Sequence, residues 1–226
     1  MFPDTVSTQA DDETATSVEI NGTNFPDPNF RAYICDTLNK KDNDTLTADE
    51  LNSVTVINCN SKEIGSLQGI KYFKNLKTLY CQFNGLTELD VSGCGNLEQL
   101  YCSDNQLTTL DVSDCSQLNY LHCSNNQLTT LDLSDCLNLE CLYCYNNNLT
   151  ELDVSNHARL EYLYCYSLRN ENPNRLISLN LSGCSSLESL DCSDNQLTGL
   201  DLSQNTALTR LYCYEDRKST RLNSSH

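Results

Sequence analysis

Fourteen cysteines in a chain of 226 residues are the side chains with the most obvious capacity for chemistry. Cysteine thiolates form disulfides, bind zinc and act as nucleophiles, and Cys141 and Cys144 have the CxxC spacing of redox and zinc sites. Most of the cysteines, however, recur at equivalent places. Eight form one series: Cys59, Cys81, Cys102, Cys123, Cys144, Cys165, Cys192 and Cys213. Four form a second series, in which His157 and Asn205 replace cysteine in other copies: Cys94, Cys115, Cys136 and Cys184.

This regular recurrence favours a structural role for both cysteine series. A buried cysteine behaves as a small hydrophobic residue, and disulfides between in-register neighbours would be strained. A spacing of three along a strand directs Cys141 and Cys144 to opposite faces, which argues against a CxxC site. We therefore predict that the cysteines point inward, with disulfides or metal binding as the alternatives.

The tyrosines form a second regular pattern, since ten of the twelve fall at position three, five or seven of a repeated unit. Positions four and six carry Leu and Cys, so strand alternation directs the odd positions outward. A rigid row of amphipathic rings suits recognition, although cross-strand stacking for stability alone is the alternative. The predicted ligand-binding residues are Tyr80, Tyr101, Tyr120, His122, Tyr143, Tyr145, Tyr162, Tyr164, Tyr166 and Tyr212.

Two polar series are predicted to support the backbone. Asp90, Asp111, Asp132, Asp153 and Asp201 are equivalent, with Asn180 in the same place, and each precedes a serine by two residues. This spacing favours Asx turns, while bound cations that offset the repeated negative charge are the alternative. Asn84, Asn105, Asn126, Asn147 and Asn195 form an asparagine ladder that we expect to satisfy turn backbones.

One segment outside these series is similar to an EF-hand calcium loop. Residues 39–50 read NKKDNDTLTADE, with Leu46 at the apolar eighth place and Glu50 at the twelfth. Lys41 occupies a ligand position, and Asp44 stands where the sharp turn favours Gly. We therefore expect no cofactor other than weakly bound calcium. Its predicted ligands are Asn39, Asn43, Thr45 and Glu50.

All of these series follow from a repeat with a period of 21 residues, which begins at Val54 with a degenerate copy. Later copies open at Leu76, Leu97, Leu118, Leu139, Leu160, Leu187 and Leu208. The first eleven positions match L-x-x-L-x-L-x-x-N-x-L with Cys as the third Leu, and both halves of a copy alternate with period two. The pattern predicts a leucine-rich-repeat solenoid of about seven to eight flattened coils, with stacked parallel strands and a weaker second strand per coil.

The segment before the repeats is predicted to be a helix-loop-helix cap on the first coil. Asp27 and Pro28 can begin a helix, and Thr47 with Glu50 forms a capping box for a shorter one. The first helix would present one apolar face, made of Phe30, Tyr33, Ile34 and Leu38. A solenoid needs such a cover over its apolar end.

From Ser17 to Glu215 the repeats resemble bacterial surface leucine-rich proteins, including internalin-like proteins of Gram-positive organisms. The resemblance rests on the repeated motif LxxLxCxxNxLxxLDxSxCxx. It implies the solenoid fold, and it implies a reducing or anaerobic habitat for so many free thiols. Members of this class bind unrelated targets through variable positions, so the motif is specific for fold and not for partner.

We divide the chain into four parts. Residues 1–16 are a disordered segment, residues 17–53 form the cap, residues 54–215 form the repeats, and residues 216–226 are the last part. The first segment is polar and small-residue-rich, and we interpret it as a signal-peptide remnant with a boundary at Ala10, or as the start of an intracellular protein. Residues 216–226, DRKSTRLNSSH, resemble a translated sequencing adapter and are interpreted as an artefact.

One repeat carries an insertion of six residues, in the stretch Leu168–Arg175. We expect this stretch to form a loop beside the tyrosines. The loop either lines a binding site or has drifted in length without a function.

Charge and composition narrow the function. A formal net charge of -17 disfavours nucleic acid and anionic membranes, and the sequence lacks the run of about 20 apolar residues needed for membrane insertion. His122 and His157, the histidines before residue 216, lie in no catalytic motif, so we expect no enzyme. We predict an extracellular or cell-surface module that binds a protein or glycan, with a structural spacer that presents another domain as the alternative. The oligomeric state is left open.

Overall fold

The computed structural model of the chain describes residues 17–168 and 173–214, together with the backbone of residues 221–223. Residues 1–16, and residues 169–172 of the predicted loop, lie outside the described residues, as does most of residues 216–226. The described repeats form a parallel solenoid with one strand per coil on its front side. The predicted leucine-rich-repeat solenoid is therefore confirmed.

The front side is a single parallel sheet of eight strands. Neighbouring strands pair in register at equivalent repeat positions, as Leu79 does with Leu100 and Leu142 with Leu163. In each strand the middle leucine points inward, because side chains alternate between the faces of a strand. The strands are Val56–Asn58, Thr78–Tyr80, Gln99–Tyr101, Tyr120–His122, Cys141–Tyr143, Tyr162–Tyr164, Ser189–Asp191 and Arg210–Tyr212.

The back side carries the weaker second strands, which pair only two by two. Residues 130–132 have no strand, so the back side is interrupted between the first and second pairs. The pairs are Glu88–Asp90 with Thr109–Asp111, Glu151–Asp153 with Ser178–Asn180, and Gly199–Asp201 with Arg221–Asn223. A continuous front sheet and a broken back side leave the front as the more rigid surface.

Both cysteine series face the interior, as predicted. Eleven of the fourteen cysteines are buried. In the second series the thiol of Cys115 donates to the Val91 carbonyl at 3.3 Å, and that of Cys184 donates to the Val154 carbonyl at 3.0 Å. Asn205, which replaces cysteine, donates to the Leu181 carbonyl at 3.1 Å. The position therefore selects a small side chain that can donate to the backbone of the preceding coil.

The Asx turns on the back side are confirmed. The backbone amide of each serine donates to the side-chain oxygen two residues earlier, at 2.8 to 3.2 Å. Hydrogen bonds from Ser113 hold the pKa of Asp111 below its usual range, and its neighbour Asp132 opposes that shift. The hydrogen bonds thus offset the repulsion between stacked carboxylates.

The asparagine ladder joins the coils through buried backbone groups. Asn126 donates to the carbonyls of Cys102, Cys123 and Ser124 at 3.0 to 3.2 Å, and it accepts from the Leu107 amide at 2.9 Å. One asparagine therefore satisfies four buried backbone groups on two coils. This agrees with the predicted role of the ladder.

Two helices precede the first coil. Helix α1, Pro28–Leu38, begins after Asp27, and helix α2, Ala48–Ser53, begins after Thr47 with the predicted capping box. The second oxygen of Asp27 accepts from the amides of Gly65 and Ser66 at 2.8 and 3.2 Å, so this residue ties α1 to the first coil.

The junction between the helical segment and the solenoid is packed by aromatic rings. The Phe25 ring meets Tyr72 and Phe73 at centroid distances of 5.7 and 6.4 Å. Gly69 has a φ of 104°, and a Cβ there would lie 2.4 Å from the Asn24 carbonyl oxygen. Only glycine allows the first coil to approach this segment so closely.

Candidate functional site

The outward positions of the front strands bring most of the predicted binding residues together. We call the following set the tyrosine face: Tyr80, Tyr101, Tyr120, His122, Tyr143, Tyr145, Tyr162, Tyr164, Tyr166 and Tyr212. All except Tyr212 are half-buried, because neighbouring rings cover one another while one side remains open to solvent. Leu and Cys fill the inward positions, so these rings are not needed to complete the core.

A run of ring contacts connects five strands of the tyrosine face. Tyr80 stacks on Tyr101 at 4.6 Å between centroids, and Tyr101 meets Tyr120 at 4.7 Å. Tyr120 reaches Tyr143 at 5.6 Å, and Tyr143 stacks on Tyr164 at 4.9 Å. Tyr120 stands at position three and the other four at position five. The run therefore crosses diagonally where His122 replaces tyrosine at position five.

A second, shorter row lies beside the first. Tyr145 and Tyr166 stack at 4.5 Å with their planes 8° apart. His122 joins the two rows, because its ring lies 5.3 Å from Tyr143 and 6.0 Å from Tyr145. The rings thus form one connected patch rather than separate columns.

Partial burial within the patch shifts the pKa values of its rings. It raises the pKa of Tyr101, Tyr120 and Tyr143, whose hydroxyls are protonated at neutral pH and can donate hydrogen bonds. Burial also lowers the pKa of His122, against the opposing charge of Asp104. Its Nε2 is buried and has no hydrogen-bond partner within the described residues.

The patch ends toward the C-terminal coils. Ser189 and Asp191 occupy positions three and five of the next strand, where a tyrosine would continue the rows. Tyr212 lies beyond this gap, 5.9 Å from Tyr214 and apart from the main patch. The predicted site is therefore a patch of nine residues, with Tyr212 outside it.

Comparison with known proteins shows repeats of the same kind. A family model described as leucine-rich repeats in two copies matches residues 95–136, and a single-repeat model matches residues 186–208. Internalin J of Listeria monocytogenes is 37% identical over 68 residues, which cover 30% of this chain and 7% of that protein.

Solved structures extend the likeness over nearly the whole chain. The functional domain of InlJ from Listeria monocytogenes, described as including a cysteine ladder, is 34% identical with a TM-score of 0.77, covering 94% of this chain and 45% of that domain. A leucine-rich-repeat protein of Leptospira interrogans is 23% identical with a TM-score of 0.66, covering 78% and 46%. The latter shows the fold alone.

The chain is a leucine-rich-repeat protein that is similar to internalins. It spans less than half of the InlJ domain that it matches. In this internalin-like chain the inward cysteines stack on successive coils, with Sγ of Cys59 and Cys81 donating to the carbonyls of Tyr80 and Tyr101 at 3.4 Å. Each thiol therefore bonds to the next strand of the front sheet, which aligns the strands that carry the tyrosines.

The predicted ligands of the calcium-type loop lie on different parts of the N-terminal segment. Asn39 ends α1 with a left-handed backbone, and Asn43 donates its amide to the Ile20 carbonyl at 2.7 Å. Thr45 lies in the short strand Thr45–Leu46, which pairs antiparallel with Val18–Glu19.

A positive charge already lies at this loop. The ammonium of Lys40 lies 2.6 Å from the Glu50 carboxylate and 3.5 Å from the Thr45 carbonyl. Its hydrogen bond is the main cause that holds the pKa of Glu50 below its usual range. Within the described residues, no group of three or more His, Cys, Asp or Glu side chains is arranged to hold a metal ion. Calcium binding at this loop stays a prediction.

One asparagine of the ladder, Asn174, was not identified from the sequence pattern. Asn174 donates to the carbonyls of Cys144 and Cys165 at 3.0 and 3.1 Å, and it accepts from the Leu149 amide at 3.2 Å. It is the last asparagine of the insertion, and its place two residues before Leu176 was the available signal. Asn174 therefore occupies the ladder position, and the coil is in register from that residue onward.

Proposed function

We propose that this chain is a non-enzymatic binding module that holds a protein or glycan on its tyrosine face. The observation that supports this most strongly is the connected patch of half-exposed rings from Tyr80 to Tyr164, outside a core that is already complete. Aromatic patches of this extent are uncommon on surfaces without a partner, and rigid rings lose little entropy on binding.

The rest of the molecule supports such a surface. Ladder asparagines, Asx turns and inward thiols fix the coils, so the rings meet a ligand in a preset arrangement and little ordering cost accompanies binding. Helices α1 and α2 serve as the N-terminal cap that keeps the first coil from fraying. We place the module outside the cell or on its surface, as an internalin-like protein. In the described part of the chain, no helix is long and apolar enough to cross a membrane.

The experiment is a parallel screen on a glycan array and a random peptide library displayed on phage. The wild-type chain, the double variant Tyr143→Ala/Tyr164→Ala and a control, Leu137→Ala/Ile177→Ala, are compared. Leu137 and Ile177 are 51% and 59% exposed and lie away from the tyrosine face, so the control removes exposed apolar surface elsewhere. We expect ligands that the wild type and the control capture and the tyrosine variant does not.

If the tyrosine variant captured the same ligands as the wild type, the tyrosine face would not be the binding site. Absence of any ligand for all three proteins would favour the structural spacer. Circular dichroism spectra and melting temperatures establish that the variants share the wild-type fold.

A further inference from the structure

A row of glutamates lies along one border of the tyrosine face. Glu140, Glu161 and Glu188 occupy position two of successive copies, one residue before the outward position three. The amide of Glu161 donates to the Glu140 carbonyl, and that of Glu188 to the Glu161 carbonyl, both at 2.9 Å. Coils in register are about 4.8 Å apart, so three carboxylates stand in a line beside the rings.

These carboxylates act on the patch electrostatically. Cys141 stands at position three between Tyr120 and Tyr162, within the tyrosine face. Its thiol pKa is raised to about 11, first by burial and then by the charges of Glu140 and Glu161. The negative charge of the glutamate row therefore affects the electrostatic potential at Cys141, within the tyrosine face.

The edge of the patch is acidic at other places as well. Asp191 continues the position-five column beyond Tyr164, and its charge adds to burial and to Tyr145 in raising the pKa of Tyr166. Asp104 follows the strand Gln99–Tyr101 and opposes the lowering of the His122 pKa. The rings thus have a row of glutamates along one border and single aspartates at other places on their edge.

Few positively charged side chains within the described residues form ion pairs with acidic residues. The ion pairs there are Arg31–Asp42, Lys40–Glu50 and Lys77–Glu98, and none of them involves the glutamate row. Glu140, Glu161 and Glu188 take part in none of them. An external cation would therefore pair with these glutamates without breaking an ion pair of the described residues.

The chain contains one example of the contact such a cation would make. The guanidinium carbon of Arg210 lies 6.0 Å from the centre of the Tyr162 ring, within the range of a cation–π interaction. Tyr164 and Tyr166 also have a neighbouring carboxylate, that of Asp191.

We propose that the occupant of the tyrosine face is a positively charged segment of a partner protein, whose Lys and Arg side chains lie on the rings and pair with Glu140, Glu161 and Asp191. The proposal rests on the proposed function and chooses protein over glycan, because acidic borders add nothing to the recognition of a neutral sugar. Aromatic rings with nearby carboxylates bind cations through the ring quadrupole and through Coulomb attraction together.

The test is calorimetric titration of the full chain at about 0.15 M salt, where the Debye length is about 8 Å. The probes are hexa-arginine, hexa-glutamate and maltohexaose. We expect hexa-arginine to bind and the other two probes not to bind. Binding of maltohexaose that requires Tyr143 and Tyr164, without hexa-arginine binding, would overturn the proposal.

Matched charge variants separate the tyrosine face from the net charge of -17. Glu140→Gln/Glu161→Gln should weaken hexa-arginine binding about five- to tenfold, since each exposed pair contributes modestly. Glu88→Gln/Glu151→Gln removes the same charge from the back strands and should change binding less than about twofold, because those charges are screened. Equal weakening by both pairs would mean nonspecific attraction and would overturn the proposal.

The tyrosine double variant keeps this failure distinct from failure of the proposed function. If Tyr143→Ala/Tyr164→Ala abolishes hexa-arginine binding and the glutamate pair has no effect, the acidic borders are irrelevant and the tyrosine face stands. If the tyrosine variant binds hexa-arginine as the wild type does, the tyrosine face itself is not the site.

Discussion

The rings of Tyr143 and Tyr164 lie parallel, with centroids 4.9 Å apart and planes 8° apart. This distance is close to the spacing between neighbouring strands of a sheet. The rings therefore stack because the strands that carry them are paired in register. Register in turn depends on the Leu142–Leu163 pairing beneath and on the asparagine ladder beside it. Each of these supports can be tested separately.

Loss of a ladder asparagine should destabilise the fold. Asn126→Ala leaves the Leu107 amide without its acceptor and removes one of two donors from each of three carbonyls, so we expect a loss of about 1 to 3 kcal/mol in the free energy of unfolding. Asn96→Ala is the control, because Asn96 makes only exposed bonds and should cost less than about 0.5 kcal/mol. Urea unfolding followed by circular dichroism measures both, and equal losses would contradict the structural role of the ladder.

Position eight of the coil offers a stabilising substitution. Asp104, Asn125 and Asn146 have a left-handed backbone there, and Asn125 donates to Asp104 at 2.9 Å while Asn146 donates to Asn125 at 2.8 Å. Phe83 has the same backbone, with φ 55°, and is 59% exposed. Phe83→Asn should raise the free energy of unfolding by about 1 kcal/mol, since asparagine tolerates this region.

The opposite change at Phe83 provides the control. Phe83→Val introduces a β-branched residue with positive φ and should lower thermal stability. A melting temperature that falls in Phe83→Asn would show that the exposed ring contributes more than its backbone strain costs.

The Asx turns should tolerate asparagine but not alanine. Asn180 already performs this role, with its Oδ1 accepting from the Ser182 amide at 3.2 Å. Asp111→Asn should therefore leave stability at pH 7 nearly unchanged, whereas Asp111→Ala loses the bonds to Ser113 and should cost about 1 kcal/mol. Thermal melts of the two variants measure the difference in stability. An equal loss of stability in both variants would mean that the charge of Asp111, and not its hydrogen bonds, stabilises the turn.

The same turns predict sensitivity to acid. The pKa values of Asp111, Asp132 and Asp153 are lowered by hydrogen bonds from the serines that follow. Carboxyls with a lowered folded pKa stabilise the fold above their unfolded pKa, so stability should fall as pH drops through and below about 4. Asp111→Asn should reduce that slope.

Buried thiols predict a loss of stability in alkali. Burial raises the pKa of Cys123 to about 12, and burial with nearby aspartates raises that of Cys136 to about 12, from the ordinary thiol value of 9.0. Their protonated forms favour the folded state, so the contribution is complete below pH 9 and is lost between pH 9 and 12. Melting temperatures from pH 7 to 11 should fall less steeply in Cys136→Asn, which keeps a donor as Asn205 does.

Alkylation provides an independent readout of the same burial. Cys35, Cys141 and Cys213 are half-exposed, and the other eleven cysteines are buried. Iodoacetamide followed by mass spectrometry should label only these three in the native chain and all fourteen in urea. Native labelling of Cys123 would contradict an inward-facing cysteine series.

The coil register could be predicted from sequence because each role recurs in five or more copies with little variation. Leu, Cys, Asn and Asp–x–Ser hold the same place in successive copies, and period-two alternation then fixes which side chains point outward. The insertion hid Asn174, because the added residues broke the spacing on which the pattern relies.

The exact connection between the rings could not be predicted. Columns of equivalent positions imply contacts along each column, yet Tyr120 meets Tyr101 and Tyr143 across columns, at 4.7 and 5.6 Å. That choice depends on side-chain rotamers and on the smaller His122 ring in the neighbouring column, which periodicity does not encode. The interruption of the back strands at residues 130–132 is likewise absent from the repeat pattern, and nothing in the structure explains it.

The most direct test of the tyrosine face compares two double variants in the same peptide and glycan screen. Tyr143→Phe/Tyr164→Phe keeps the stacked rings and removes only hydroxyls, whereas Tyr143→Ala/Tyr164→Ala removes the rings. We predict that wild-type ligands bind the phenylalanine variant and fail to bind the alanine variant, at equal melting temperature. Ligands that bind the alanine variant as tightly as the wild type would contradict the account, because the rings would then contribute nothing to recognition.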